Sequence, residues 1–341
     1  MAFRRTMAPK RSEVGGPESR RFRHELDPGA SRGDANPNGN RDMLDKIREH
    51  VLALPEFQVW PELFAAFERS GTQPRLDWEL PELACRSVGG DREAGLVGAA
   101  AIACLQISII LVDDILDEDP RGEHRKIGPG RAANLALALQ GAAGQLIARA
   151  PLDAAGQAAA QRCLVDAAVK TAYGQDLDAL NLDGEANYWR VVENKSTPFY
   201  GAALELGALL GGAAPDTAAS LYRLGTLIGE IIQLNDDVTD AFQTPANPDW
   251  LRGRNNLLIL YARTAPHAEQ AAFLQLLSEI QSPGALAAAQ QILIRSGAAS
   301  YALFHITQRV EKAKALVAAL PLADRELLAE RIIPPTPVPV G

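Results

Sequence analysis

Apolar and polar positions along this chain follow the pattern of successive helices separated by short breaks. Ala and Leu are abundant, and stretches rich in these two residues favour helix over strand. No run of alternating Val, Ile and Thr marks a strand, and the breaks fall at clusters of Gly, Pro, Ser and Asp such as Gly89–Asp91 and Ser282–Gly284. The pattern predicts helices over approximately 41–54, 56–70, 77–88, 91–118, 129–148, 153–182, 185–211, 214–243, 250–264, 266–282, 284–298 and 300–320.

Two stretches within these helices, residues 97–112 and 225–234, are apolar on nearly every face. A helix without a polar face must be surrounded by other helices. We therefore expect an all-α fold, a single large helical bundle over residues 41–331. Residues 1–40, rich in Arg, Gly, Pro, Ser and Asn, should be disordered, and residues 332–341 form a Pro-rich tail that cannot stay helical.

The composition limits the class of protein. The 341 residues are enough for one large core, and a net charge of −8 argues against nucleic-acid binding. The cysteines Cys85, Cys104 and Cys163 have no metal-ligand spacing and suit buried thiols in a reducing compartment. The apolar run Val97–Val112 is short for a membrane span and ends in carboxylates. We thus expect a cytoplasmic protein with no membrane span.

Two aspartate clusters carry the candidate chemistry. Asp113 and Asp117 lie four residues apart, as do Asp236 and Asp240, so each pair shares one helix face. A solvated acidic face would explain one such pair, but both pairs follow apolar runs that should be buried. Like charges gathered there cost several kcal/mol unless a cation compensates them. Oxygen ligands at this spacing suit Mg²⁺ with phosphate, so the two clusters predict a diphosphate–metal site.

The two clusters resemble the motifs of a known enzyme family. Gln233-x-x-Asp236-Asp237-x-x-Asp240 is similar to the second aspartate-rich motif of the trans-isoprenyl diphosphate synthases, the polyprenyl synthetase family, with Ile232 where Phe is usual. Asp113-Asp114-x-x-Asp117 resembles the first motif, and the resemblance covers roughly residues 45–320. It implies the helical bundle of the isoprenoid synthases and Mg²⁺ as cofactor, as three ions. The metal ligands that it implies are Asp113, Asp114, Asp117, Asp236, Asp237 and Asp240.

Three further segments resemble the substrate-binding segments of this family. Gly174–Asp178 is similar to its Gly-Gln-x-x-Asp helix, Glu193–Thr197 to its Lys-Thr segment, and Arg252–Ala262 to its Gly-Lys-x-x-Leu-Pro-x-Leu-Tyr-Ala segment. The resemblance assigns catalytic roles to Asp113, Asp117, Asp236 and Lys195. It assigns contacts with the substrates to Lys195, Gln175, Asp178, Gln233 and Arg254, the last of which stands where Lys is usual.

The segments that hold isopentenyl diphosphate in this family depart from its pattern here. Gly71–Arg75 stands where the family has Gly-Lys-Arg-x-Arg, and only Gly71 and Arg75 match. After the first motif, one Arg (Arg121) precedes the Gly instead of two, with His124 and Arg125 as substitutes. A lost Lys–phosphate contact is worth roughly 1.5–3 kcal/mol. That loss weakens the binding of isopentenyl diphosphate without necessarily abolishing it.

The activity implied by the resemblance is a prenyl transfer. The resemblance implies that an allylic isoprenoid diphosphate ionises and condenses with isopentenyl diphosphate, as in polyprenyl or geranylgeranyl diphosphate synthases, and that the enzyme is a homodimer. Two alternatives remain open. One is transfer to another acceptor or terpene cyclisation, since Asn235-x-x-x-Thr239-x-x-x-Gln243 partly matches a cyclase metal motif but has Gln243 in place of an acid. The other is a non-catalytic subunit that modulates a partner synthase.

The resemblance also yields an expectation for chain length. In this family the residues four and five positions before the first aspartate motif floor the product tunnel, and here they are Ile109 and Ser108. Neither is aromatic and Ser108 is small. The resemblance therefore predicts a product or preferred allylic chain of about C20 or longer, because a growing chain gains about 0.8 kcal/mol per buried CH₂ while room remains.

Overall fold

The computed structural model describes residues 37–70 and 75–335. Within these residues the chain forms helices and no strand, which confirms the predicted all-α fold. In chain order the helices are α1 (Pro37–Leu52), α2 (Pro55–Val59), α3 (Pro61–Ser70), α4 (Leu76–Ser87), α5 (Arg92–Leu116), α6 (His124–Ile127), α7 (Pro129–Ala148), α8 (Ala154–Leu180), α9 (Glu185–Lys195), α10 (Thr197–Leu210), α11 (Pro215–Phe242), α12 (Pro248–Leu251), α13 (Leu257–Thr264), α14 (Gln270–Leu277), α15 (Pro283–Arg295), α16 (Ala298–Ala319) and α17 (Arg325–Ile332).

The centre of the bundle consists of α5, α10 and α11. Helix α10 is buried over almost its whole length and lies against α4, α8 and α11, whereas α5 packs against α4 and α7. The buried apolar side chains form a continuous cluster from Met43 to Ile333. The two apolar stretches identified in the sequence are therefore central helices, as their lack of a polar face predicted.

Helix α5 is long and apolar enough, by length and composition, to cross a membrane. Its most apolar window is 83% buried inside the protein, however. This burial is typical of a core helix, so α5 provides only weak evidence for a membrane span.

Prolines account for two differences between the predicted and the observed helices. The prediction for 56–70 divides into α2 and α3 before Pro61, and that for 185–211 divides at Ser196, two residues before Pro198. A proline lacks the N–H that would continue the preceding helix, but it fits the first turn of the next. The second break has a consequence for the site, because it ends α9 at Lys195.

The ends of the chain are only partly described. Helix α1 begins at Pro37, four residues before the predicted boundary, and α6 and α17 are helices that the pattern did not predict. Residues 1–36, which the sequence predicts to be disordered, lie outside the described residues. So do residues 336–341, the last part of the Pro-rich tail.

Candidate active site

Three carboxylates from two helices form the centre of the site. Asp113 lies in the last turn of α5, Asp117 directly follows that helix, and Asp178 lies in the last turn of α8. One oxygen from each carboxylate lies within 4.8 Å of the others. The sequence predicted Asp113 and Asp117 as metal ligands but assigned Asp178 only to the substrate. The fold therefore places the Asp178 carboxylate next to those of the first aspartate motif.

Lys195 neutralises two of these carboxylates from the end of α9. Its Nζ lies 2.5 Å from Asp178 Oδ2 and 3.1 Å from Asp113 Oδ1, and its side chain is 6% exposed. Gly174 permits this approach, because a Cβ at that position would overlap the backbone of Asn194 and Lys195. The glycine thus brings α8 against the end of α9 and places the ammonium group between the two helices that carry the carboxylates.

Arg254 supplies the second positive charge. Its two terminal nitrogens bond both oxygens of Asp117, one of them at 3.0 Å, and Nη1 lies 3.9 Å from Asp178 Oδ2. Such a bidentate pair fixes orientation as well as charge. Arg252, which the sequence interpretation did not single out, donates a hydrogen bond to the backbone oxygen of Asp117 at 3.2 Å. The segment after α12 therefore closes over the end of α5.

The second aspartate motif faces this group across a pocket. Helix α11 contributes Asp236 and Asp240 to the lining of a pocket that Asp178 and Lys195 also line. Because Lys195 also contacts Asp113, both predicted motifs meet at one place. The remaining lining residues are Tyr188, Val191, Val192, Gln233, Asp237 and Asn255.

Asp237 and Gln233 organise the second motif. Asp237 accepts hydrogen bonds from the Leu257 backbone N–H at 2.8 Å and from Gln233 Nε2 at 3.1 Å. The first bond holds the start of α13 against α11. Burial raises the pKa of the Tyr188 hydroxyl well above its usual range, and the nearby Asp237 adds to this rise. Asp237, predicted as a metal ligand, thus already anchors the fold through both of its carboxylate oxygens.

The electrostatics of the site fit a divalent cation. Asp113 is 6% exposed, and burial raises the pKa of its carboxyl group, with Lys195 opposing that rise and Asp117 and Asp178 adding to it. Oxygen-only ligands with negative charge in excess are what Mg²⁺ prefers. Asp113, Asp117 and Asp178, together with Asp236 and Asp240 across the pocket, are the residues that would hold it.

The last turn of α5, the loop that follows it and α6 each contain one further predicted residue. Asp114 packs against Gly122 and is outside the cluster of three carboxylates. The Arg121 side chain donates two hydrogen bonds to Asp119, at 2.9 and 3.1 Å, and its backbone N–H donates a third at 2.8 Å. Its Nη1 is buried with no hydrogen-bond partner in the structure. Arg125 is exposed and donates to the Glu118 backbone oxygen. Of these three residues, Arg121 is the one whose buried Nη1 group can donate to a further acceptor.

Arg75 and Gln175, both predicted to contact a substrate, lie in different surroundings from each other. Gly71 and the three residues after it lie outside the described residues, and Arg75 pairs with the buried Asp77 at 3.4 Å. No sequence pattern singles out Asp77, since a single carboxylate near the start of a helix is common. Gln175 is 3% exposed, and neither atom of its amide has a hydrogen-bond partner in the structure. It is therefore a buried polar group one turn below Asp178 that remains available to a ligand.

Ser108 and Ile109, the expected tunnel residues, are both buried in α5. The Ser108 hydroxyl donates to the Leu105 backbone oxygen at 2.7 Å. Five residues separate Ser108 from Asp113, which places it about 140° around the helix from that carboxylate. Ile109, four residues before Asp113, lies within about 40° of it. Only Ile109 therefore shares the face of α5 that leads to the carboxylates.

The chain is similar in sequence to proteins of a known family. The sequence profile of the family described as Polyprenyl synthetase matches residues 82–293. The chain is 30% identical, over 267 residues, to the short chain isoprenyl diphosphate synthase of Methanothermobacter thermautotrophicus, and the match covers 73% of this chain and 82% of that protein.

Comparison with solved structures gives similar folds. The geranylgeranyl pyrophosphate synthetase of Pyrococcus horikoshii has a TM-score of 0.73 at 22% identity, over 87% of this chain and 96% of that one. A polyprenyl synthase of Caulobacter crescentus, solved with calcium and isoprenyl diphosphate, has a TM-score of 0.70 at 23% identity, over 88% of this chain and 96% of that one. At these identities the likeness establishes the arrangement of helices.

Proposed function

The chain belongs to the polyprenyl synthetase family, and we propose that it is a magnesium-dependent synthase that joins an allylic isoprenoid diphosphate to isopentenyl diphosphate. It is thus a prenyltransferase, a transferase of alkyl groups other than methyl. The observation that carries the proposal is Lys195, which contacts Asp113 and Asp178 and lines the same pocket as Asp236 and Asp240.

The reaction needs stabilisation of a leaving diphosphate and no side-chain nucleophile. The C1–O bond of the allylic diphosphate breaks and its electron pair leaves with the diphosphate. The double bond of isopentenyl diphosphate then attacks C1, and the adduct loses a proton to the departed diphosphate. Bound Mg²⁺, as three ions, would supply most of the charge stabilisation in the transition state. Lys195 and Arg254 provide fixed positive charge beside the carboxylates.

We assign the binding of the acceptor, isopentenyl diphosphate, to residues just after α5 and just before α4. Arg121 Nη1 is a buried donor without a partner, and it suits a phosphate oxygen. Arg75 is already paired with Asp77, so less of its charge is available to a second diphosphate. These contacts support isopentenyl diphosphate as an acceptor that binds more weakly than in relatives with a complete basic segment.

The primary experiment separates the three functional classes. The purified chain is incubated with Mg²⁺ and geranyl, farnesyl or geranylgeranyl diphosphate, with and without isopentenyl diphosphate, and the products are identified by mass spectrometry. Elongated prenyl diphosphates that require isopentenyl diphosphate and disappear with a chelator are the expected result. Cyclic or hydroxylated products formed without isopentenyl diphosphate would replace the proposal with cyclisation. No turnover of any allylic diphosphate would indicate the non-catalytic subunit.

A matched pair of variants on α11 tests the site itself. Asp236→Asn removes a buried carboxylate at the pocket and should lower kcat by about 100-fold or more. Asp216→Asn lies at the exposed start of the same helix, about 30 Å along its axis, and should retain full activity. Equal activity of the two variants would contradict the assignment of the second motif.

We further propose that the protein is a cytoplasmic homodimer that uses the outer faces of α7 and α8. Gln161 bonds the Gly144 backbone oxygen and Gln157 that of Ile147, so these helices run antiparallel side by side. Their outer faces expose Leu137, Val165 and Val169 by 57–69%. Adjacent exposed apolar side chains on two packed helices favour a second copy of the chain as their partner. The buried helix α5 and three buried free thiols agree with a cytoplasmic location.

Light scattering tests the dimer. The wild-type chain should have twice its monomer mass at micromolar concentration, and Val169→Asp should reduce it to a monomer. Ile294→Asp, at a 53% exposed apolar residue on α15, is the matched control and should leave the mass unchanged. A wild-type monomer would contradict the proposed dimer.

A further inference from the structure

Tyr188 on α9 is a buried polar residue in the wall of the pocket that Asp178, Lys195, Asp236 and Asp240 also line. It is 2% exposed, and its hydroxyl oxygen is buried with no hydrogen-bond partner in the structure. A buried hydroxyl without a partner lowers the stability of a protein. Because Tyr188 lines a pocket of charged side chains, a ligand of that pocket is the partner that would satisfy its hydroxyl.

Tyr188 and Lys195 are the polar side chains that α9 contributes to this pocket. Tyr188 precedes Lys195 by seven residues, which is about 10 Å along the helix and within about 20° of the same face. Val191 and Val192 line the wall between them and are apolar. Lys195 is the residue of α9 that contacts Asp113 of the first aspartate motif. Tyr188 therefore lies two turns of α9 away from that contact.

The second aspartate motif lies beside the Tyr188 hydroxyl. Burial raises the pKa of this hydroxyl well above its usual range, and the charges of Asp237 and Asp236 on α11 add to the rise. Asp237 accepts hydrogen bonds from the Leu257 backbone N–H and from Gln233, so both of its oxygens serve the fold. Asp236 is 8% exposed and lines the pocket. The hydroxyl therefore borders the part of the pocket that the second motif forms.

Aromatic and charged contacts restrict the movement of the Tyr188 ring. The ring lies edge-on to that of Trp189, with 5.0 Å between the ring centroids. The guanidinium group of Arg309 on α16 lies 4.7 Å from the centroid of the Trp189 ring and pairs with Glu230 on α11. These contacts link α9 to α11 and α16, so the tyrosine ring keeps its place in the pocket wall.

We propose that the Tyr188 hydroxyl accepts a hydrogen bond from a water molecule on the Mg²⁺ ion of the second aspartate motif and so positions that ion. This inference rests on the proposed function. Mg²⁺ binds through few carboxylates and keeps several water ligands, which are strong donors because the cation polarises them. A tyrosine hydroxyl can accept such a bond while it donates its own proton to a carboxylate or phosphate oxygen. Tyr188 is thus a positioning residue that acts through the ion.

This role gives the Tyr188→Phe variant two effects of opposite sign. Phenylalanine keeps the ring and its contact with Trp189 but lacks the hydroxyl. In the presence of a chelator, loss of an unpartnered buried hydroxyl should leave the melting temperature unchanged or raise it. With the cation bound, loss of the contact with its water ligand should weaken cation binding by about 10-fold or more, as at other residues that orient the ligands of a metal.

Electron paramagnetic resonance of free Mn²⁺ measures cation binding without turnover. Mn²⁺ stands in for Mg²⁺ because both prefer oxygen ligands, and the protein is saturated with the non-ionising thiolo analogue of farnesyl diphosphate. Tyr188→Phe should bind at least one ion about 10-fold or more weakly than the wild type does. Tyr301→Phe is the matched control, since its hydroxyl bonds Glu185 and Tyr301 does not line the pocket. It should bind Mn²⁺ as the wild type does.

A second background tests the coupling of Tyr188 to the second motif. Asp236→Asn removes a carboxylate that would hold the ion. Adding Tyr188→Phe to Asp236→Asn should therefore weaken Mn²⁺ binding by no more than about 2-fold, because the two residues act on one ion. Losses that multiply in the double variant would place the action of the hydroxyl elsewhere and overturn the inference.

The remaining outcomes separate this inference from the proposed function. Equal Mn²⁺ affinity of Tyr188→Phe and wild type overturns the inference alone. A lower melting temperature of Tyr188→Phe in chelator, or its failure to fold, does the same, because the hydroxyl would then be bonded within the fold, for example to Asp237. Weaker binding of the analogue at unchanged Mn²⁺ affinity would overturn it in favour of a direct bond to the diphosphate. A wild-type protein that binds neither Mn²⁺ nor the analogue would overturn the proposed function and the inference with it.

Discussion

Lys195 and Asp178 form an ion pair of 2.5 Å between the last turns of α9 and α8. The same ammonium group lies 3.1 Å from Asp113 on α5, so one cation joins carboxylates from two helices. Lys195 and Arg254 both contact carboxylates of the group formed by Asp113, Asp117 and Asp178. A divalent cation at this position would therefore bind carboxylates that Lys195 and Arg254 also contact.

Lys195→Gln should make the stability of the protein depend on Mg²⁺. Removal of one partner from a buried ion pair costs roughly 3 kcal/mol, so the variant should unfold several degrees below the wild type when a chelator is present. Added Mg²⁺ should restore most of this loss, because a ligand bound to the folded state stabilises it by mass action. Thermal unfolding with and without Mg²⁺ measures both effects, and an equal Mg²⁺ response in variant and wild type would contradict this account.

Arg254→Lys should reduce kcat/KM by about 10- to 100-fold while the fold persists. A lysine retains the charge but cannot make the two parallel bonds with Asp117. Loss of a charge-assisted hydrogen bond costs roughly 1.5–3 kcal/mol. Arg263→Lys is the control, since Arg263 pairs with the exposed Asp183 away from the cluster. Equal kinetics in the two variants would show that the bidentate geometry is not used.

Gly174→Ala should separate α8 from the end of α9. The added methyl group would overlap the Asn194 carbonyl, so backbone rather than a flexible side chain must move. We expect a loss of about 1–3 kcal/mol in stability, together with a marked loss of activity as Lys195 shifts from Asp178. Gly284→Ala in the first turn of α15 should be neutral, because its Cβ would make only an ordinary contact with Ser282 Oγ at 3.8 Å. Denaturant unfolding and kcat of both variants check the prediction.

The stability of the Asp77→Asn variant relative to the wild type should increase as the pH rises. Burial raises the pKa of Asp77 in the folded protein above its ordinary value of 3.8, although Arg75 and the bonds from Gln106 and Tyr200 oppose the rise. The folded state therefore binds more protons than the unfolded state between those two pKa values. The free energy of unfolding that Asp77 contributes falls as the pH rises through this window.

An asparagine side chain does not ionise, so the free energy of unfolding of the Asp77→Asn variant does not fall in this way. The melting temperature of Asp77→Asn relative to wild type should accordingly increase from about pH 4 upward through the raised pKa. Melting temperatures of both proteins over this range test the prediction. A difference that stays constant with pH would show that Asp77 has no raised pKa in the folded protein.

The sequence by itself determined the helices, the fold class and the residue types of the site. Helical periodicity and the placement of Gly and Pro are local properties, so an all-α bundle was predictable from them. Asp113 with Asp117 and Asp236 with Asp240 are also local pairs, because residues four apart share a helix face. The similarity of these motifs to the polyprenyl synthetases extended the prediction to Lys195 and Arg254, and both lie at the cluster in the structure.

Only the tertiary structure decided which distant residues share the site. Asp178 joins Asp113 and Asp117 because Gly174 lets α8 approach the end of α9, and no local pattern contains that contact. Asp77 and Gln106, twenty-nine residues apart, meet because α4 packs along α5. Helix packing sets such distances between side chains far apart in sequence, whereas periodicity describes only one helix at a time.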